Sequence, residues 1–133
     1  MKQEKEMERL DNMDGWFGLL IAKIKNSETA LEFSFAGQDL QPEEYRLIFK
    51  AMEKNKSLKA VVCNRKQLRD DEGIELAKSL MYNTSIERIE LERNLLSSKF
   101  LTQLAMTLKY NKTLKAIDLE GNYLTNGGDT QGM

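Results

Sequence analysis

Four acidic residues have the types and the spacing to act together in this chain. Glu90 and Glu92 precede Asp118 and Glu120 by the same number of positions. If the two segments lie side by side, the four carboxylates form an acidic patch, although like charges placed opposite each other repel. Such a patch could receive a basic segment of another protein, because complementary charge speeds encounter and sets register. The alternative is an ordinary solvated surface without a ligand.

The same carboxylates can also be considered as ligands of a metal ion. Hard cations such as Ca²⁺ take oxygen ligands, but they need a tighter geometry than a flat surface offers. We therefore expect no metal at this patch, and nothing else in the sequence calls for a cofactor.

The reacting groups of most enzyme classes are missing. The chain has no histidine, which removes the commonest general base and the commonest metal ligand. Its single cysteine, Cys63, therefore has no histidine to activate it as a nucleophile. Gly127 and Gly128 lack the strand, helix and lysine of a phosphate-binding loop, so we expect a turn there. The sequence predicts that the chain is not an enzyme.

Three N-x-[ST] triplets begin at Asn55, Asn83 and Asn111. They match the acceptor pattern for N-glycosylation. However, the triplets recur at equal steps along the chain, and the first residues of the chain contain no apolar core of the signal-peptide kind. An asparagine can also end a helix and turn the chain into a following strand. We favour this structural interpretation.

Composition excludes several classes of partner. A chain of 133 residues supports one domain, and 41% hydrophobic with 31% charged residues is typical of a soluble globular protein. A net charge of −1 provides no global field toward nucleic acid or membranes. One cysteine agrees with a reducing compartment. We expect a cytoplasmic protein that binds neither nucleic acid nor a membrane.

The elements that position the acidic residues follow from a repeat of about 28 residues. Apolar and polar residues alternate over 58–63, 86–91 and 114–119, which predicts strands with one apolar face. Cys63 takes an inward strand position, so we expect a buried structural thiol. The aligned units start at Ala30, Leu58, Ile86 and Leu114.

The second half of each unit has helical spacing. Pro42 suits a helix start, and residues 16–24 are expected to form a further helix that covers the N-terminal end of the stack. Trp16 should bury a large area there. The predicted inward helical faces consist of Tyr45, Ile48, Phe49 and Met52, then Ile74, Leu76, Ala77 and Leu80, then Phe100, Leu101, Leu104 and Leu108.

The last two units read IxxIxLxxNxL from Ile86 and LxxIxLxxNxL from Leu114. This pattern resembles the leucine-rich repeat family, in particular its 28-residue, ribonuclease-inhibitor-like class, over about residues 16–128. The resemblance implies an α/β solenoid with a parallel concave sheet, helices on the convex side, about four repeats and an N-terminal capping helix.

In such repeats an asparagine, here Asn94 and Asn122, bonds backbone groups in the turn that follows the strand. Gln38 and Lys66 replace it in the first two units, so we expect less regular turns there. We divide the chain into a charged N-terminal segment, residues 1–15, and a repeat domain, residues 16–133. The fourth unit stops after its turn, so a partner, a second copy or further repeats are expected to cover that end.

The concave face is the expected site of function, because its strand residues point away from the core. Leucine-rich repeats use such a surface to hold other proteins. Our first hypothesis is therefore a protein–protein interaction module or scaffold. The candidate partner-binding residues are Arg65, Arg88, Glu90, Glu92, Arg93, Asp118 and Glu120.

Two other functions remain open. The stretches LMYNTSIERIELERN and LKYNKTLKAIDLEGNYLTNGG resemble the C-terminal repeats of tropomodulins, which implies a cytoskeletal protein associated with actin or cilia. The same repeat class also occurs in the activator of the nuclear-transport GTPase. That resemblance implies a regulator of an enzyme such as a GTPase.

Overall fold

A computed structural model describes residues 15–35, 37 and 39–125 of the chain. The predictions for the charged segment up to Asp14, for Gln38 and for the turn at Gly127 and Gly128 lie outside the described residues.

Strands and helices alternate along the chain, and the strands form a parallel sheet in the order β1-β2-β3-β4. Its register equals the sequence repeat, because Ile89 lies opposite both Val61 and Ile117. The helices lie together on the convex side of the sheet, and each helix packs against the next one along the chain. The predicted α/β leucine-rich repeat solenoid is confirmed. The elements are α1 (Trp16–Lys25), β1 (Glu32–Ser34), α2 (Pro42–Ala51) with a 3-10 turn (Met52–Lys54), β2 (Ala60–Val62), α3 (Asp70–Leu80), β3 (Arg88–Glu90), α4 (Ser98–Leu108) and β4 (Ala116–Asp118).

Side chains near the starts of α2, α3 and α4 bond free backbone N–H groups there. Pro42 is the first residue of α2, as predicted. The backbone N–H of Gln41 donates to Glu44 Oε1 at 2.6 Å, and that of Arg69 donates to Glu72 Oε1 at 2.9 Å. Carboxylates in the first helical turn also complement the positive end of the helix dipole. These contacts help to define where α2 and α3 begin.

The joints from helix to strand are held by the three asparagines of the N-x-[ST] triplets. Asn83 Nδ2 donates to the carbonyls of Met52 at 2.8 Å and Asn55 at 2.9 Å. Its Oδ1 accepts from the backbone N–H groups of Ser85 and Ile86, both at 2.8 Å. Asn55 and Asn111 bond in the same way and are also buried. These contacts support the structural interpretation of the triplets over glycosylation.

The turns after the strands repeat as well. Arg65 and Arg93 have φ values of 56° and 55°, at the repeat positions where Gly37 and Gly121 have 79° and 80°. The less regular turn expected at Lys66 is found at the next residue, because Gln67 has a φ of 58° whereas its repeat equivalents Leu95 and Tyr123 do not have a positive φ. The following unit still bonds this turn. Asn94 Oδ1 accepts from the backbone N–H of Lys66 at 2.9 Å.

One continuous apolar core lies between the sheet and the helices. The thiol of Cys63 is fully buried, as predicted, and burial raises its pKa far above the usual range. Trp16 is less buried than two other apolar residues of this helix: it is 41% exposed, whereas Phe17 and Ile24 are fully buried. Phe17 and Ile24 are seven residues apart and share one helical face, and Trp16 lies about 100° away from that face.

The C-terminal end of the stack is more exposed than its interior. Leu80 is 3% exposed, but its repeat equivalent Leu108 is 41% exposed. Ile117 is likewise only half-buried, whereas Ile89 is buried. Apart from Leu108, the predicted inward helical faces are buried or half-buried. That a partner, a second copy or further repeats cover this end stays a prediction.

Within the described part of the chain, no helix has both the length and the apolar character needed to cross a bilayer.

Candidate functional site

The parallel register brings the candidate residues to neighbouring strands on the concave face. Glu90 on β3 lies opposite Asp118 on β4. Glu92 and Glu120 lie in the turns that directly follow, at equivalent repeat positions. The backbone N–H of Arg93 donates to the carbonyl of Glu120 at 2.8 Å, which ties the two turns together. The sequence correctly placed these side chains side by side.

Three of the carboxylates converge, and we call Glu92, Asp118 and Glu120 the acidic triad. One oxygen from each carboxylate lies within 4.8 Å of the others. A hydrogen bond between the carboxyls of Glu92 and Asp118, together with the charge of Asp118, raises the pKa of Glu92. That hydrogen bond and the backbone N–H of Glu120 lower the pKa of Asp118. As the pH falls, Glu92 therefore takes up a proton before Asp118 does, and the carboxyl O–H of Glu92 donates a hydrogen bond to Asp118.

Glu90 is separated from the triad by its own partners. The guanidinium of Arg88 donates to Glu90 and, at 3.1 Å, to Glu32 Oε1. Asn64 Nδ2 donates to Glu90 Oε1 at 3.1 Å. The charge of Glu90 is thus balanced by Arg88, so three of the four predicted carboxylates form the triad and the fourth, Glu90, is ion-paired.

Arg65 and Arg93 occupy the exposed strand-end turns beside the triad. The positive charge of Arg93 acts to lower the pKa of Glu92, but less strongly than Asp118 acts to raise it. No ion pair joins a triad carboxylate to lysine or arginine in the described part of the chain. The two arginines therefore border the triad without neutralising it.

Sequence reasoning missed a second row of charges at the beginning of the strands. Glu87 lies between Lys59 and Lys115, with N–O distances of 3.9 and 3.7 Å. Together with Arg88, this row lines a shallow depression of about 430 Å³. The signal was present, because Lys59, Glu87 and Lys115 occupy the same position in successive repeats. These charges are paired with one another, which makes the triad the less compensated end of the face.

Comparisons with known proteins agree with this architecture. No family model matches the chain, and neither does any curated protein. A solved structure described as leiomodin-1 actin-binding site 2 is similar, with a TM-score of 0.73 and 20% sequence identity over 82% of this chain and 63% of that one. A tropomodulin C-terminal domain from Caenorhabditis elegans has a TM-score of 0.72 and 15% identity over 80% of this chain and 65% of that one.

The chain spans less than two thirds of the length of either solved structure. At these identities the similarity supports the leucine-rich repeat fold alone, so a function has to be inferred from the candidate site. The finer assignment to the ribonuclease-inhibitor-like class is not tested by these two structures.

Proposed function

We propose that this chain is a protein-binding module, and not an enzyme, whose concave face receives a basic segment of a partner at the acidic triad. The observation that carries the proposal is the convergence of Glu92, Asp118 and Glu120 within 4.8 Å, without a lysine or arginine ion-paired to them among the described residues.

Convergent like charges make this corner of the face favourable for a cation. The raised pKa of Glu92 reflects the cost of placing its charge next to Asp118. A lysine or arginine of a partner would reduce that repulsion and gain hydrogen bonds to several carboxylate oxygens. The triad is exposed or half-buried, so salt should weaken binding. Arg65 and Arg93 at its border would exclude a second cation and help to fix the register of the bound segment.

The repeat class is part of the same proposal. The sheet register, which pairs residues one repeat apart, supports a ribonuclease-inhibitor-like assignment, since a helix follows each of the first three strands. Stacked repeats of this kind present extended surfaces that suit protein partners. This extended surface suits protein partners in general and does not specify one of them.

Actin is the second candidate, and one observation favours it. Of the two structures described above, one carries an actin-binding site in its description and the other is a tropomodulin domain. We propose a cytoskeletal location and an actin-related partner as the narrower form of the function. Co-sedimentation with actin filaments, and gel filtration with actin monomers, test it directly.

The main proposal is tested with a labelled peptide of alternating lysine and serine, whose binding is followed by fluorescence anisotropy. The variant Glu92→Gln/Asp118→Asn/Glu120→Gln removes three charges and keeps the size of each side chain. We expect it to weaken binding by about tenfold or more at low salt. The matched control Glu28→Gln/Asp71→Asn/Glu75→Gln removes the same charge elsewhere and should bind within about twofold of the parent.

Equal losses in the two variants would mean that the peptide responds only to net charge, and the proposal would fail. It would also fail if the triad variant bound the peptide as tightly as the parent chain.

A further inference from the structure

The edge of the solenoid opposite the triad carries the reverse charge. Exposed lysines occupy the loops that lead from α2 and from α4 to the next strand, whereas the loop between them, after α3, contains none. Two tyrosines in these loops, Tyr82 and Tyr110, are 66% and 65% exposed. Lys59 and Lys115, next to the strands, pair with Glu87, but among the described residues no carboxylate forms an ion pair with Lys54, Lys56, Lys109 or Lys112. We call Lys54, Lys56, Tyr82, Lys109, Tyr110 and Lys112 the basic edge.

Hydrogen bonds between successive loops make the basic edge one continuous surface. Asn83 Nδ2 donates to the carbonyl of Asn55 at 2.9 Å, and Asn111 Nδ2 donates to that of Asn83 at 3.4 Å. Each of these asparagines directly follows Lys54, Tyr82 or Tyr110 in the chain. The bonds therefore hold the exposed side chains in adjacent rows, and they restrict the motion of the loops.

Helix dipoles account for only part of this composition, since Lys54 ends the 3-10 turn after α2 and Lys109 is the C-cap of α4. A dipole favours cations in the last helical turn, which explains Lys50 in α2 and Lys78 in α3. Lys56 and Lys112 lie beyond the helices, and α4 has no basic residue in its last turn. Exposed tyrosines gain nothing from a dipole, whereas aromatic residues are enriched at protein interfaces.

An apolar groove continues the basic edge between α1 and α2. Ile21, Leu47 and Ala51 line its floor, and it holds about 240 Å³. Lys25, Lys50 and Lys54 surround the floor together with Glu53. Lys54 belongs to both the groove and the basic edge. The groove is large enough for one aliphatic side chain, and its lysines face the flanks of whatever chain enters.

We propose that the groove and the basic edge together bind an acidic segment of a partner protein that carries one apolar anchor residue. The anchor would fill the groove, the flanking carboxylates would meet Lys25, Lys50 and Lys54, and the segment would continue along Tyr82 and Tyr110. The positive charge of the lysines favours a negatively charged segment, and the apolar floor of the groove favours an apolar anchor residue.

Nucleic acid fits these loops less well than an acidic protein segment. The basic edge contains no arginine, the residue best suited to bidentate phosphate and base contacts. The chain as a whole has a net charge of −1, so a long polyanion would also meet the acidic first turns of α2 and α3. A short acidic segment avoids them.

The test uses a labelled peptide of glutamate and serine with one central leucine. We expect Lys54→Gln/Lys112→Gln to weaken binding by about fivefold to tenfold, and Tyr82→Ser/Tyr110→Ser by at least about threefold. Replacing the leucine of the peptide by serine should cost about tenfold, since it removes the apolar anchor. The triad variant described above should bind this peptide as the parent does, which separates this inference from the proposed function.

A matched control removes two exposed positive charges from the other edge, in Arg69→Gln/Lys99→Gln. If it weakened binding as much as the lysine variant did, general charge would explain the result and the inference would be overturned. The inference would also be overturned if the peptide without leucine bound equally well, or if single-stranded RNA of the same length bound more tightly than the peptide.

Discussion

Replacing Asn83 by alanine tests whether the repeat is held together by its asparagines. The side chain is 2% exposed and makes four hydrogen bonds at 2.8 to 2.9 Å. Two of them reach the preceding joint, at Met52 and Asn55, and two fix the backbone of its own joint at Ser85 and Ile86. Alanine removes all four and offers no replacement partner.

The expected loss of stability is large for a single polar residue. A hydrogen bond of this kind contributes about 1 kcal/mol net, and a buried group left unsatisfied costs about 1–3 kcal/mol. Four bonds therefore give about 4 kcal/mol, reduced to about 3 kcal/mol if the joint relaxes enough to admit water. This is a substantial part of the 5–15 kcal/mol that is typical of a folded domain.

Urea denaturation followed by circular dichroism measures this loss as a difference in the free energy of unfolding. Asn26→Ala is a suitable control, because Asn26 is exposed and its side chain makes no hydrogen bond among the described residues. It should change stability by no more than about 0.5 kcal/mol. A cost below about 1 kcal/mol for Asn83→Ala would refute the view that these bonds stabilise the stack.

Asn83→Asp refines the same experiment. Aspartate keeps the two accepting contacts but turns a charged oxygen toward the carbonyls of Met52 and Asn55, which raises its pKa in the folded state. The folded state then binds a proton more tightly than the unfolded state, so the variant should lose stability as the pH rises above about 4. A variant whose stability did not depend on pH between about 4 and 7 would show that the carbonyls do not face this side chain.

Two further predictions concern the core. Gly73→Ala would place a Cβ 2.6 Å from Leu96 Cδ2 and 2.9 Å from Phe100 Cδ1, so we expect a loss of about 1–2 kcal/mol by thermal or urea unfolding. Gly18→Ala, whose Cβ would meet nothing within 4 Å, should instead gain about 0.5–1 kcal/mol from helix propensity. If Gly73→Ala were the more stable of the two variants, the close packing of α3 on α4 would be contradicted. Burial raises the pKa of Tyr45 from 10.0 to about 12 and raises that of Cys63 from 9.0. Stability should therefore fall as the pH rises above about 9, as measured by urea unfolding, and it should fall less steeply in Cys63→Ala.

The sequence determined the parts of the fold that depend on periodicity. The constant step from one repeat to the next was enough to place the strands, their parallel order and their register, because every unit repeats the same alternation. It also placed Cys63 in the core. It did not show that Phe17, and not Trp16, is the fully buried aromatic residue of α1, because the rotation of a terminal helix depends on which neighbour it meets. Leu19 and Trp16 were as apolar as Phe17, and only packing against α2 distinguishes them.

The site was less predictable than the fold for a related reason. The repeat placed Glu90 beside Asp118, but it could not show that Arg88 would reach Glu90 and Glu32, since that depends on side-chain rotamers. The turn at Lys66 depended on a residue of the following unit, Asn94. Interactions between units do not appear in any one unit's pattern, and they decide which charges remain uncompensated.

Stacking also explains why the two proposed sites can work separately. The strand and its flanks from Leu58 to Arg65 span seven residue steps, or about 23 Å at about 3.3 Å per residue. Screening at physiological salt acts over about 8 Å, so charges on the basic edge scarcely affect the triad. The starts of α2 and α3 add carboxylates to one edge, and the joints after α2 and α4 add lysines to the other, so the two charges stay at opposite edges of the stack. A basic and an acidic partner segment should therefore bind at the same time, and the affinity for one should be the same whether or not the other is bound.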